Sequence, residues 1–264
     1  LKRIYGWGSS LHYFQSANLA VHPTYVMELT KDDRYSPSEI TAALDRLNER
    51  GATSFDVRRL TEAVQGEPLQ FAGGSNVDDW CIARDVLIVA NGPEARAKKS
   101  EIEMFIRQHQ PFVLGLNAHL PIDMSLVDAV AVCHPERAML DASALSELEC
   151  EVVAPGALLA SLGINVKRLR DVGMSVTQEG FTSLPVGVGI PDPLVIGYAL
   201  AVATEGRAKR IFVVGADGYE PNDARQLAVE NTLRHYTTTN GALPLVSLTK
   251  TTLTVDQRSL FAPL

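Results

Sequence analysis

Five apolar residues in a row, Val86 to Ala90, stand between Asp85 and the turn Asn91-Gly92-Pro93. An unbroken apolar run of that length, ended by turn residues, is the mark of a strand buried on both faces. In the stretch that follows, Glu94 to His109, Ala95, Ile102, Phe105 and Ile106 fall near one helical face and charged residues fill the other. Strand, turn and amphipathic helix open a βαβ unit. That unit constrains the rest of the chain, because parallel strands need crossover connections and helices on both faces of their sheet. At such a turn backbone N–H groups point outward without partners, and the helix dipole favours an anion. Gly92 would let a phosphate approach the backbone closely, and Pro93 costs nothing in a helix's first turn. Asn-Gly-Pro is equally good chemistry for an ordinary strand-to-helix turn. The pattern is neither GxGxxG nor a Walker loop, so neither NAD nor ATP follows from it.

The alternation continues to the end of the chain. Strands are expected at Val86–Ala90, Pro111–Leu116, Leu126–Cys133, Glu151–Val153, Arg210–Gly215 and Leu243–Leu248. Helices are expected at Glu94–His109, Glu136–Leu148, Pro193–Glu205 and Asp223–Tyr236, with a short one at Ala154–Leu162. Residues 85–264 therefore read as an α/β domain with a mostly parallel, Rossmann-like sheet and helices on both faces. Residues 1–66 read as a helical segment. In it Ser36 fits an N-cap, Pro37 the first helical position and Glu39 the far side of a capping box, and Gly51 ends that helix. Residues 67–84, rich in Gly, Asn and Asp, read as a linker. A helical hairpin of this size is expected to cap something, either the domain that follows or one upstream. The chain opens on LKRIYGWGSS without a methionine and is expected to be a piece of a longer polypeptide.

Composition excludes some partners. The 264 residues are 46% hydrophobic, enough for a large core or two small ones, and carry a net charge of −7. That charge argues against nucleic acid or a membrane surface as a general partner. No apolar stretch approaches the ~20 residues a membrane span needs; the longest, around Val195–Ala203, is interrupted by glycine. Cys81, Cys133 and Cys150 are widely spaced and form no CxxC pair, so neither zinc nor a disulfide framework is expected. Without a signal-peptide pattern, reduced thiols in a cytoplasmic protein are the expectation.

Ligands of a parallel sheet sit just past the carboxyl ends of its strands. Those positions hold Asn91-Gly92-Pro93, Asn117-Ala118-His119, His134-Pro135-Glu136-Arg137, and Asp217-Gly218-Tyr219 with Asn222, Asp223 and Arg225 close behind. Polar clustering of Asn, His and Asp at one edge is the strongest functional signal in the chain. On the functional reading, Asn91, Gly92, Pro93 and Asn117 hold a phosphate and a nucleotide. Asp217 and Tyr219 take ribose or sugar hydroxyls. His134 is the candidate general acid/base, with Asp217 beside it as a catalytic candidate, since an imidazole titrates near neutral pH. Arg225, badly placed for the dipole in a helix's first turn, would pair with a carboxylate or phosphate. Each has a plainer reading: Asn117 may satisfy loop backbone, His134 may be a packed histidine, Asp217-Gly218 may be a turn, and Asp223 may be an N-cap. In PVGVGIPDP, Gly187 and Gly189 either admit a ligand or loosen a strand. Ser247 and Thr249 would reach the same edge. No Ser-His-Asp order, HExxH or paired-carboxylate spacing occurs, and a metal site built wholly from this chain is not expected.

The segment YFQSANLAVHPTYVMEL, Tyr13 to Leu29, resembles the region after the catalytic barrel in HMG-CoA-lyase-like aldolases of the 4-hydroxy-2-oxovalerate type found in surface-polysaccharide gene clusters. The block from Tyr198 to Gln226 and the ending LVSLTKTTL are similar to a C-terminal extension that some of them carry. The resemblance implies an aldolase barrel upstream, with residues 1–66 as its helical tail and its own metal and base residues outside this chain. No DRE-type motif and no HxH occur here. The NGP strand-turn-helix is also similar to that of bacterial sialyltransferases that use CMP-sugars and of other Rossmann-like proteins that handle nucleotide-sugars. It implies a nucleotide or nucleotide-sugar ligand, an acidic or phosphorylated small molecule and transferase chemistry. Glu94 stands where that pattern has a small hydroxyl residue; a carboxylate there repels an anion unless a divalent metal intervenes. The alternative reading is a non-catalytic assembly or regulatory domain that holds the aldolase and its homo-oligomer together.

Overall fold

Eight parallel strands form the main sheet among the described residues, which are 70–75, 77–177, 179–220 and 223–262 of a computed structural model. The helices expected within residues 1–66 lie outside the described residues. The strands are β2 (Asp85–Val89), β3 (Phe112–Leu116), β4 (Ala129–Ala131), β5 (Glu151–Ala154), β6 (Leu169–Asp171), β10 (Arg210–Val214), β11 (Leu245–Ser247) and β12 (Asp256–Gln257). They lie in the order β12-β11-β10-β2-β3-β4-β5-β6. β2 is central, and its apolar run is buried end to end. From it the chain builds outward through β3 to β6, then returns to the other side of β2 for β10 to β12. The order thus reverses between β2 and β10, the topological switch point of a Rossmann-like α/β fold.

Alternation within the strands divides the core between the two faces. Leu87 and Val89 share one cluster with Ile102, Phe105, Leu145, Leu159 and Phe212. Val86 and Ile88 are equally buried on the opposite side. Helices α1 (Pro93–Ala97) and α2 (Lys99–His109) follow β2, and α3 (Pro135–Leu140) and α4 (Ala142–Glu147) follow β4. Then come α5 (Gly156–Ser161), α6 (Val195–Glu205) and α7 (Ala224–Thr238). In α6 every residue from Ile196 to Ala203 is buried, as befits a helix apolar all round, and Tyr198 donates its hydroxyl to the Val172 carbonyl at 2.6 Å. At the amino end of the sheet a forked ion pair fixes the register at the switch point: Arg210 Nε and Nη2 each donate to Asp85 at 2.9 Å, and the two residues pair directly across β10 and β2.

Two expected helices are each broken in two. Lys98, at φ −108 and ψ 27, separates α1 from α2, and Asp141, at φ −84 and ψ 3, separates α3 from α4. A second sheet was not expected. It comprises β1 (Gln70–Phe71), β7 (Met174–Val176), β8 (Thr182–Leu184) and β9 (Gly187–Ile190), in the order β1-β7-β9-β8. The expected linker is also partly structure. Besides β1, Val77 and Cys81 are buried, the Cys81 N–H donates to the Gly206 carbonyl at 2.8 Å, and Trp80 Nε1 donates to Glu151 at 3.0 Å. No helix among the described residues is long and apolar enough to cross a membrane.

Candidate functional site

The Asn91-Gly92-Pro93 turn leaves β2 and enters α1 as expected, but its amides are not open. Glu94 donates its N–H to Asp217 Oδ2 at 2.7 Å, and Gly92 donates its N–H to the Gly215 carbonyl at 3.0 Å. Asp217, carried in by β10, thus caps the helix start at which a phosphate was expected. Gly92 is required by this approach: a Cβ there would meet Asp217 Oδ2 at 2.6 Å and collide with the Gly215 carbonyl. Pro93 occupies the first position of α1. Asn91 is held by Arg96, whose Nε donates to its Oδ1 at 3.0 Å and whose Nη2 donates to its carbonyl at 2.9 Å.

The Asp217 carboxylate itself is only half used. Its Oδ1 is buried with no hydrogen-bond donor in the chain. Burial raises its pKa above the usual carboxylate value, against the lowering effect of the Glu94 N–H. Such an oxygen is an acceptor already stripped of solvent and aimed at whatever can donate.

The loop after β10 is laced to the loop after β11. Thr249 Oγ1 accepts the buried Gly215 N–H at 2.9 Å, Thr251 Oγ1 donates to the Ala216 carbonyl at 2.6 Å, and the Thr252 N–H donates to the Asp217 carbonyl at 2.9 Å. Ser247 donates to the Thr249 carbonyl at 2.8 Å. Thr249 therefore reaches the edge as a support of the Asp217 loop.

One strand to the other side of β2, the loop after β3 begins at Asn117, buried, with φ 62. A non-glycine residue in that region is uncommon, although Asn tolerates it best. Its Oδ1 is also buried without a donor in the chain. Next to it the Ala118 N–H donates to Asp141 Oδ2 at 3.3 Å, and His119 Nε2 lies 3.5 Å from Asp141 Oδ1. His134 is the half-buried N-cap residue of α3, and Arg137 follows on the first turn of that helix. Asn117, His134 and Asp217 thus stand at the carboxyl ends of β3, β4 and β10.

Other expected residues serve the fold. Arg225 forks onto Asp223 of its own helix start, with Nε 3.0 Å from Oδ1 and Nη2 2.7 Å from Oδ2, and its guanidinium lies 4.3 Å from the Tyr219 ring centre. The anion expected for it is thus a neighbour in the chain, and Asp223 is the N-cap that its plainer reading describes. Gly187 and Gly189 lie in β9, inside the small sheet. A Cβ at the first would run into the Gly173 backbone, and one at the second into Thr182 Oγ1. These two glycines serve close packing between strands and are not at the edge of the main sheet.

Asp141 is the functional candidate that the sequence reading missed, because it lies inside an expected helix. The available signal was an Asp followed by Ala-Ser, N-cap chemistry in mid-helix. Among the described residues no three His, Cys, Asp or Glu side chains gather as a metal-binding group. Burial pushes the Cys81 thiol up to about 12 and raises Cys133 as well, so neither is an activated nucleophile. Compared with protein families, curated proteins and solved structures, the chain matches none.

Proposed function

We propose that the α/β unit binds a nucleotide or nucleotide-sugar across the carboxyl end of β2, at the switch point. The observation that carries this reading is the pair of buried oxygens at that edge, Asn117 Oδ1 and Asp217 Oδ1, that no donor in the chain reaches. Leaving a buried acceptor without a donor costs about 1–3 kcal/mol, a cost that ligand hydroxyl or amino groups would recover. Asp217 is suited to ribose or sugar hydroxyls, which donate to a carboxylate. Because Asp217 already holds the first amide of α1, the phosphoryl or acidic end of the ligand belongs on the other side, toward Asn117, His119, His134 and Arg137. If the upstream resemblance holds, the ligand is a product or partner of 2-keto sugar acid chemistry performed by an aldolase barrel.

A thermal-shift screen with CMP, CDP, UDP, ADP, NAD and CMP-sugar acids, with and without magnesium, tests the reading. Ligand at ~100 times its dissociation constant stabilises by about 2.7 kcal/mol. A selective shift is expected; the absence of any shift would overturn the reading. One observation favours the assembly-module alternative: the start of α1 is satisfied from within, as a purely structural turn would be.

A further inference from the structure

The loop after β3 is held by a side chain from outside it. Asp141, 2% exposed, sits at the junction of α3 and α4. One of its oxygens accepts the Ala118 N–H and the other lies 3.5 Å from His119 Nε2. The His119 side chain is 44% exposed. A buried carboxylate thus backs an imidazole that is open on its other side. Two residues before His119, Asn117 is 9% exposed and carries the buried Oδ1 that no donor in the chain reaches. The backing carboxylate, the open imidazole and the unmet amide oxygen all belong to one loop at the carboxyl edge.

We propose that His119 and Asp141 form an acid–base dyad in which His119 Nδ1 takes a proton from a hydroxyl of the bound ligand and Asp141 is the positioning residue. The identity of the ligand rests on the nucleotide reading; the dyad itself does not. A carboxylate facing Nε2 keeps the proton on that nitrogen and leaves the Nδ1 lone pair as the acceptor. When the ligand O–H gives its proton to Nδ1, the bonding pair stays on the ligand oxygen. The imidazolium that forms then faces a buried negative charge, the same division of labour as in a histidine oriented by an aspartate in acyl transfer. A separation of 3.5 Å is long for a formed hydrogen bond, and contacts of this kind commonly tighten when ligand binds.

A purely structural Asp141 would need only to accept the Ala118 amide, so the test must read the imidazole. Long-range 1H–15N correlation of the whole chain at about pH 8, above the ordinary imidazole value near ~6.5, reports which nitrogen carries the proton. His119→Gln assigns the resonance. The expected result is an Nε2–H form at His119. Asp141→Asn keeps an oxygen for the Ala118 amide and turns an amino group toward Nε2, so the proton should move to Nδ1. An Nδ1–H form in the parent chain overturns the dyad, and so does an unchanged tautomer in a folded Asp141→Asn; if that variant does not fold, the parent spectrum decides alone. CMP is then added. If CMP stabilises the chain and the His119 Nδ1 resonance moves, the proton-acceptor role stands; if CMP stabilises the chain and the resonance stays put, that role is overturned. If none of the screened nucleotides stabilises the chain, the nucleotide reading fails, and the dyad is judged on its tautomer.

Discussion

Asp217 does two jobs that conflict. Its Oδ2 secures the start of α1, while its buried Oδ1 keeps charge in a place that disfavours it. Burial raises its pKa, so between the unfolded value near ~3.9 and the higher folded value the native state binds more protons than the unfolded chain. Stability therefore falls as pH rises through that window. Asp217→Asn keeps the acceptor for Glu94 and removes the charge. Its melting temperature should exceed the parent's at pH 7, and the gain should shrink as both are taken below about pH 4; scanning calorimetry at the two pH values checks this, and a less stable variant at pH 7 would contradict it. Stability gained at the expense of ligand binding is the usual trade at a functional site. Gly92→Ala tests the same approach from the other side. Its Cβ has no room beside Asp217 Oδ2 at 2.6 Å, and overpacking of this kind costs about 1–3 kcal/mol in urea unfolding.

Elements with long apolar runs were legible in the chain; elements defined by partners were not. β2, β3 and β10 bury five, four or all of their residues in unbroken runs, as Val86–Val89, Phe112–Leu116 and Ile211–Val214 do, and each was placed within a residue or two. β6 has a single apolar residue in Leu-Arg-Asp, and β8 has one in Thr-Ser-Leu. Such short strands exist because a neighbour supplies the ladder, and no periodicity announces them. The breaks at Lys98 and Asp141 were hidden for a similar reason: the flanking residues keep helical spacing, and only the tertiary demand on Asp141 explains why one helix gives way there. The same dependence on partners governs the β10 loop, where the Gly215 amide relies on Thr249. Thr249→Val keeps the shape and removes the acceptor, orphaning a buried N–H. A loss of about 1–3 kcal/mol in denaturant unfolding, with the slope unchanged, is expected; no loss would mean that the loop finds another acceptor.

At the scale of the whole unit, the order of the sheet decides both what is stable and where a ligand can sit. β2 and β10 lie inside the sheet and share the Arg210–Asp85 fork, whereas β12 and β6 are its edges. Hydrogen exchange should leave the amides of β2 and β10 protected longest and release β12 early. Equal protection across the sheet would contradict this topology as the source of stability. The sequence reading located the carboxyl edge correctly because apolar runs end in polar turns. It could not foresee that Asp217, 123 residues along the chain from Glu94, would occupy the helix start meant for a phosphate. Contacts of that range are decided by strand order, which no local pattern encodes.

The most direct measurement is titration calorimetry of whichever nucleotide stabilises the chain, run on the parent, Asn117→Ala and Asp217→Asn. Loss of one well-made hydrogen bond to each buried oxygen should weaken binding by about tenfold or more, the equivalent of ~1.4 kcal/mol, in variants that remain folded. Unchanged affinity in both would mean that the buried oxygens at the switch point are not where the ligand binds.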